Sequence, residues 1–165
     1  MCYLIGSIPF GLILSLVLNK NDPRLVGSKN IGATNITRTS GWKLGFLTLN
    51  CDILKGYIPL FFFKSHSIAV DLIILFIFLG HLFPIWIKFK GGKGIAVIIG
   101  CLLGYNFIYG LTFLFVWLVI AFISKYSSLS ALIASSSVLI MIFFQKDPLI
   151  TVMSIMVLLI FFKHS

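Results

Sequence analysis

IAVDLIILFIFLGHLFPIWI, residues 68–87, carries a single formal charge, Asp71, across its length. About 20 consecutive apolar residues match the hydrocarbon thickness that one helix must cross. The run has no strand-like alternation, and a span exposed to lipid must satisfy its own backbone, so the reading is a transmembrane helix. It ends abruptly in Lys88-Phe89-Lys90-Gly91-Gly92-Lys93-Gly94, and the next apolar run begins at once.

Working outward, similar runs fill the chain. The expected helical spans are 2–18, 42–63, 68–87, 93–105, 107–123, 128–144 and 148–162. The fourth and fifth allow an alternative, one hairpin broken around Gly104, Tyr105 and Asn106. The expected fold is thus an all-α integral membrane protein of about seven short transmembrane helices, forming one domain over 1–165. Composition agrees: 59% of residues are hydrophobic, 17 are Phe, and mean hydropathy is +1.11. The run 2–18 has no basic residue before it, so it reads as a retained span rather than a signal peptide. Cys2, Cys51 and Cys101 lie in apolar runs without the spacing of a disulfide framework or zinc site.

Most of the basic residues behind the net charge of +9 lie at or between the ends of spans. With the N-terminus outside, Lys20, Arg24, Lys29, Arg38, Lys43, Lys88, Lys90, Lys93, Lys125 and Lys163 fall inside. Lys64 and Lys146 fall outside, and Lys55 lies within the second span. Ten against two is a strong positive-inside bias, placing the C-terminus in the cytoplasm. Such a distribution points to lipid headgroups, not nucleic acid. Residues 19–41 are too polar to span and are expected to lie on the inner leaflet.

Two glycine-rich basic loops then share the cytoplasmic side. Such loops let main-chain N–H groups converge on an anion. In the first, Ser28, Asn30, Thr34 and Asn35 offer short polar groups, Gly27 and Gly32 permit tight turns, and Arg38 supplies a bidentate fork. In the second, Gly91, Gly92 and Gly94 are expected to present free amides at a helix N-terminus, with Lys93 aimed at the same anion. Lys88 reads as a topology anchor, and Lys90 stays open between the two roles. Asp52 and Lys55, three apart on one helical face, read as an internal pair, and His81 as a structural or supporting group.

Five motifs occur in order: Leu4-Ile5-Gly6-Ser7-Ile8-Pro9-Phe10-Gly11; Asp22-Pro23-Arg24 with Gly27-Ser28-Lys29-Asn30-Ile31-Gly32-Ala33-Thr34-Asn35; Asp52-Ile53-Leu54-Lys55-Gly56; Gly80-His81-Leu82-Phe83-Pro84; and Phe89-Lys90-Gly91-Gly92-Lys93-Gly94. From residue 3 to about 164 this series resembles the bacterial acyl-phosphate–glycerol-3-phosphate acyltransferase family. The resemblance implies a multi-pass protein of the bacterial cell (inner) membrane, and the residue inventory leads to the expectation of no cofactor or metal. Its substrates would be glycerol 3-phosphate and fatty acyl phosphate, taken among membrane lipids. The positions matching Ser28 and Arg38 would contact the phosphorylated substrate, and Lys93 and His164 complete the expected catalytic set. The family usually has Gly where Lys29 stands, and a positive φ there would be awkward for Lys. The family's third cytoplasmic motif continues beyond the position of His164, so a C-terminally truncated chain is expected.

The residue inventory suits that chemistry. No Ser–His–Asp set, metal-ligand cluster or carboxylate base is evident beside the loops, whereas an acyl phosphate is already activated and needs mainly positioning and charge stabilisation. A transporter for a small phosphorylated solute is the alternative, but it calls for polar groups at mid-membrane depth. A CDP-alcohol phosphotransferase needs clustered carboxylates on metal, and Asp22, Asp52, Asp71 and Asp147 are scattered. His66-Ser67-Ile68-Ala69-Val70-Asp71 matches the H-x4-D pattern of soluble and peripheral acyltransferases but falls on the expected outer face, and is rejected.

Overall fold

The computed structural model describes residues 1–63 and 69–164, and these are helical and irregular, with no strand among them. The helices are α1 (Cys2–Gly6), α2 (Phe10–Val17), α3 (Ala33–Ser40), α4 (Trp42–Phe63), α5 (Val70–Leu82), α6 (Ile95–Tyr105), α7 (Phe107–Ser124), α8 (Ser127–Phe144) and α9 (Ile150–His164). A 3₁₀ turn, Ile85–Ile87, follows α5. By length and apolar character, α4, residues Val70–Ile87, α7 and α8 can each cross a bilayer, while α6 and α9 are shorter apolar helices.

The first expected span is corrected. Residues 2–18 form two helices, because Pro9 brings no N–H and stands as the N-cap of α2. α6 and α7 meet at a single residue, Asn106, which is extended and accepts the Ile108 N–H on its side chain. His66 of the rejected pattern lies outside the described residues, and Asp71 sits in the first turn of α5.

α4 is the axis of the bundle. Between the buried Leu44 and Leu60 at its two ends, its inward stripe of Gly45, Thr48, Asp52, Lys55, Gly56 and Pro59 is small or polar where a soluble core would be mostly aliphatic. Small residues let helix backbones approach closely in lipid, where apolar burial gives little drive to association. Gly100 of α6 lies on the Ile53 carbonyl, and Gly56 of α4 on the Val97 carbonyl; a Cβ at either would overlap main chain. The aliphatic core gathers on the other side of α6, where Phe78, Ile98, Leu102, Phe113, Val138 and Met153 are buried together. Outward faces are strongly apolar, with Phe115, Phe122 and Phe144 exposed, as lipid contact requires.

These contacts fix the ends. Asp52 of α4 faces His81 near the finish of α5, which follows α4 after a short connection, and along α6 Gly100 meets Ile53 while Gly104 meets Leu60, so α6 runs parallel to α4. α4 and α5 are therefore antiparallel, and both polar loops lie at the end where α4 begins. α9 finishes there too, with the Lys163 ammonium 4.7 Å from the Phe83 ring. The opposite end is closed by Asp147, whose carboxylate accepts from the hydroxyls of Tyr105 at 2.7 Å and Tyr109 at 2.9 Å.

Candidate active site

The first loop is built around Asn35, which is 2% exposed. Its side-chain carbonyl accepts the Ser28 N–H at 2.8 Å. Its NH₂ donates to the carbonyls of Asn30 at 2.8 Å, Pro23 at 3.0 Å and Val26 at 3.2 Å. One side chain thus ties down a turn of polar backbone that has no ladder of its own. Asn30 extends the arrangement by accepting the Gly32 N–H at 2.8 Å. Gly27 has φ +61°, and a Cβ there would overlap the Asn35 oxygen and press on Thr39.

Lys29 has φ +57°, so the left-handed turn is kept although glycine is absent. That conformation costs a non-glycine residue about 1 kcal/mol or more. Asn35, Asn30 and the Gly32 amide are therefore engaged within the loop itself. The Ser28 hydroxyl, the Thr34 hydroxyl and the Arg38 guanidinium, all on exposed residues, find no partner among the described residues. Ser28 is bonded to Asn35, and Arg38 stands one turn further along α3. Arg24 differs: its fork closes on Asp22 at 2.6 Å, which holds the Asp22 carboxyl below its ordinary range.

The second loop corrects one expectation. The Gly91 and Gly92 amides are not free, since they donate at 3.2 Å to the Leu82 and His81 carbonyls. The physical reason is α5, whose last carbonyls need donors once the helix ends at Leu82, ahead of Pro84. Cβ atoms at these glycines would overlap the His81 carbonyl and Pro84 in one case and the His81 ring in the other. The free donors begin later. Gly94, at φ +84°, is the N-cap of α6, and the Ile98 N–H is the first to bond back, to Gly94 at 2.9 Å. The amides of Ile95, Ala96 and Val97, at the helix N-terminus, have no partner among the described residues. Lys93 precedes them without a partner among the described residues, and partial burial pulls its ammonium below the usual lysine range.

Both loops seat against the same stripe of α4. Gly11 lies between the Ile31 carbonyl and Thr48, carrying the first loop. One turn further on, Asp52 lies beside His81, which carries the second. α9 adds His164, within electrostatic reach of Lys93. Its Nδ1 is 2.8 Å from the Ile160 carbonyl, and since a carbonyl only accepts, Nδ1 carries a proton and a neutral ring leaves Nε2 with its lone pair.

Sequence reading missed the scaffold role of Asn35, the capping of α5 by Gly91 and Gly92, and two ties to α1. In these ties the Tyr3 hydroxyl donates to the Phe83 carbonyl at 2.6 Å, and the Trp86 indole N–H to the Ser7 hydroxyl at 2.9 Å. Nothing local signals a partnership across some eighty residues. The Asp52–Lys55 pair is present as expected, at 2.7 Å and buried.

A family profile described as glycerol-3-phosphate acyltransferase matches residues 1–165. The glycerol-3-phosphate acyltransferase of Bartonella quintana is 45% identical, the match covering 99% of this chain and 82% of that protein. That of Pelagibacter ubique is 47% identical, covering 98% and 85%. Among solved structures, the integral membrane glycerol 3-phosphate acyltransferase PlsY in its glycerol 3-phosphate form superposes with a TM-score of 0.90 at 36% identity, covering 99% of this chain and 84% of that one. Its lysophosphatidic acid form gives a TM-score of 0.87 at 35% identity.

Proposed function

This chain belongs to the glycerol-3-phosphate acyltransferase family, and we propose that it moves a fatty acyl group from acyl phosphate to the 1-hydroxyl of glycerol 3-phosphate. The products are lysophosphatidate and inorganic phosphate. The protein is a membrane enzyme of phospholipid synthesis. Its orientation, with the N-terminus outside and both loops cytoplasmic, is inferred from the positive-inside bias, and its place in the bacterial inner membrane from the family.

One observation carries the reading. Two loops on one stripe of α4 keep the Ser28 hydroxyl, the Arg38 fork, the Lys93 ammonium and the first amides of α6 without partners among the described residues. Unpaired donors and cations at a membrane edge suit a phosphorylated substrate and an anionic leaving group. Arg38 and Ser28 hold the phosphate of glycerol 3-phosphate. Lys93 and the α6 amides face the acyl phosphate, where negative charge grows on the leaving oxygen.

The 1-hydroxyl oxygen attacks the acyl carbon, the carbon–oxygen bond to phosphate breaks, and phosphate departs. The hydroxyl proton passes to a substrate phosphate oxygen, so a side-chain base is not needed. The acyl chain lies against the lipid-facing helices. His164 offers Nε2 as an acceptor that orients a substrate hydroxyl.

The test is incubation of purified protein with labelled glycerol 3-phosphate and either palmitoyl phosphate or palmitoyl-CoA. Lysophosphatidate should form from the phosphate donor without added metal. Equal turnover with the CoA ester, or abolition by EDTA, would overturn the mechanism.

A further inference from the structure

Beneath the second loop lies a polar cluster that the reaction does not touch. Lys55 places its ammonium 2.7 Å from Asp52 and donates at 2.7 Å to the Ile8 carbonyl, at the break between α1 and α2. His81, 5% exposed, has its Nδ1 3.9 Å from the same Asp52 oxygen, and that nitrogen has no hydrogen-bond partner among the described residues. The other edge of the imidazole faces the loop, where a methyl group on Gly92 would overlap Nε2, Cε1 and Cδ2. The Gly92 amide donates to the His81 carbonyl, so His81 holds the loop by its ring and by its backbone. Lys93 follows directly.

Stability does not account for such a cluster. A buried ion pair is often no better than an apolar replacement of equal volume, and ionisable groups within a membrane bundle are expensive. What the trio does supply is rigidity at one place. It joins the α1–α2 break, the middle of α4 and the end of α5 directly under the backbone that carries Lys93. We propose that Asp52, Lys55 and His81 form a positioning unit for acyl transfer, with the His81 imidazole as the seat on which Gly92 fixes Lys93 and the α6 amides against the leaving phosphate. The proposal rests on the phosphate-donor reading above and adds to it residues that meet no substrate.

A double-mutant cycle on the full chain tests it, with palmitoyl phosphate and glycerol 3-phosphate. His81→Ala should lower kcat about tenfold or more, because small displacements of a charge-stabilising group are costly, while KM for glycerol 3-phosphate stays within about threefold. In a Lys93→Ala background the same change should cost less than about threefold, since the group it positions is gone. His81→Gln, which returns a polar end near the place of Nε2, should recover part of the loss. Equal fold losses in both backgrounds would overturn the proposal, because a merely structural histidine acts independently of Lys93. If His81→Ala does not yield folded protein, Gly92→Ala presses on the same ring from the loop side and is judged by the same criterion. A wild-type chain that uses only acyl-CoA sinks the donor assignment alone, and the cycle run with that donor still decides the seat.

Discussion

Asn35 and Ser28 are joined by a 2.8 Å hydrogen bond from the Ser28 amide to the Asn35 side-chain carbonyl. The bond sets where the Ser28 hydroxyl lies relative to α3, and so relative to Arg38 one turn on. Asn35→Asp keeps an acceptor but removes the NH₂ that now serves Pro23, Val26 and Asn30. Three carbonyls would then face a carboxylate. The expected loss is about 1–3 kcal/mol of stability, read as a lower thermal midpoint in detergent. KM for glycerol 3-phosphate should rise with it, and an unchanged KM would separate the loop scaffold from substrate binding.

Arg38 and Lys93 should fail differently. Arg38→Lys keeps the charge and loses the planar fork, so KM for glycerol 3-phosphate rises and kcat falls less. Lys93→Ala removes charge that counts most as the leaving group departs, so kcat carries the loss while the protein still inserts. Steady-state kinetics at varied glycerol 3-phosphate and saturating acyl phosphate separate the two. Wild-type values in both variants would reduce these residues to topology signals.

Lys29 offers a test of backbone strain. At φ +57° it holds a conformation that glycine adopts without penalty. Lys29→Gly should stabilise the protein by about 0.5–1 kcal/mol once the extra freedom of glycine in the unfolded chain is set against the relief. Lys29→Ala should not, because its Cβ keeps the clash while the charge is lost. Paired melting curves decide the matter, and equal midpoints would place the strain elsewhere.

The spans were legible because lipid demands long apolar runs, and Trp42–Phe63 and Phe107–Ser124 read within a residue of the helices observed. Residues 2–18 misled because apolar content carries no record of hydrogen bonding, whereas the break at Pro9 does. The loops were legible as polar islands, but which of their groups stay free was not. Asn35 and Thr34 look alike in sequence, yet one is buried and bonded to four neighbours while the other is open. Gly91 and Gly92 look like anion ligands until the unsatisfied end of α5 is placed beside them. Burial and partnership come from tertiary placement, so sequence marked the two candidate loops and geometry showed which of their groups are engaged within the fold.

Lys93 gives a pH dependence whose two readouts have opposite signs. Burial lowers its pKa, and the ammonium is the form expected to work, so kcat/KM should fall as pH rises through a value below the ordinary lysine range. A bound phosphate favours the ammonium, so the corresponding fall in kcat should come at higher pH. Stability moves the other way. Between the lowered folded pKa and the unfolded one, the unfolded chain binds more protons, so stability rises with pH across that window. Lys93→Arg stays protonated, and its alkaline limb in kcat/KM should shift upward while the plateau drops for want of the right geometry. Superimposable alkaline limbs for wild type and Lys93→Arg would assign the titration to another group and remove Lys93 from the transition state.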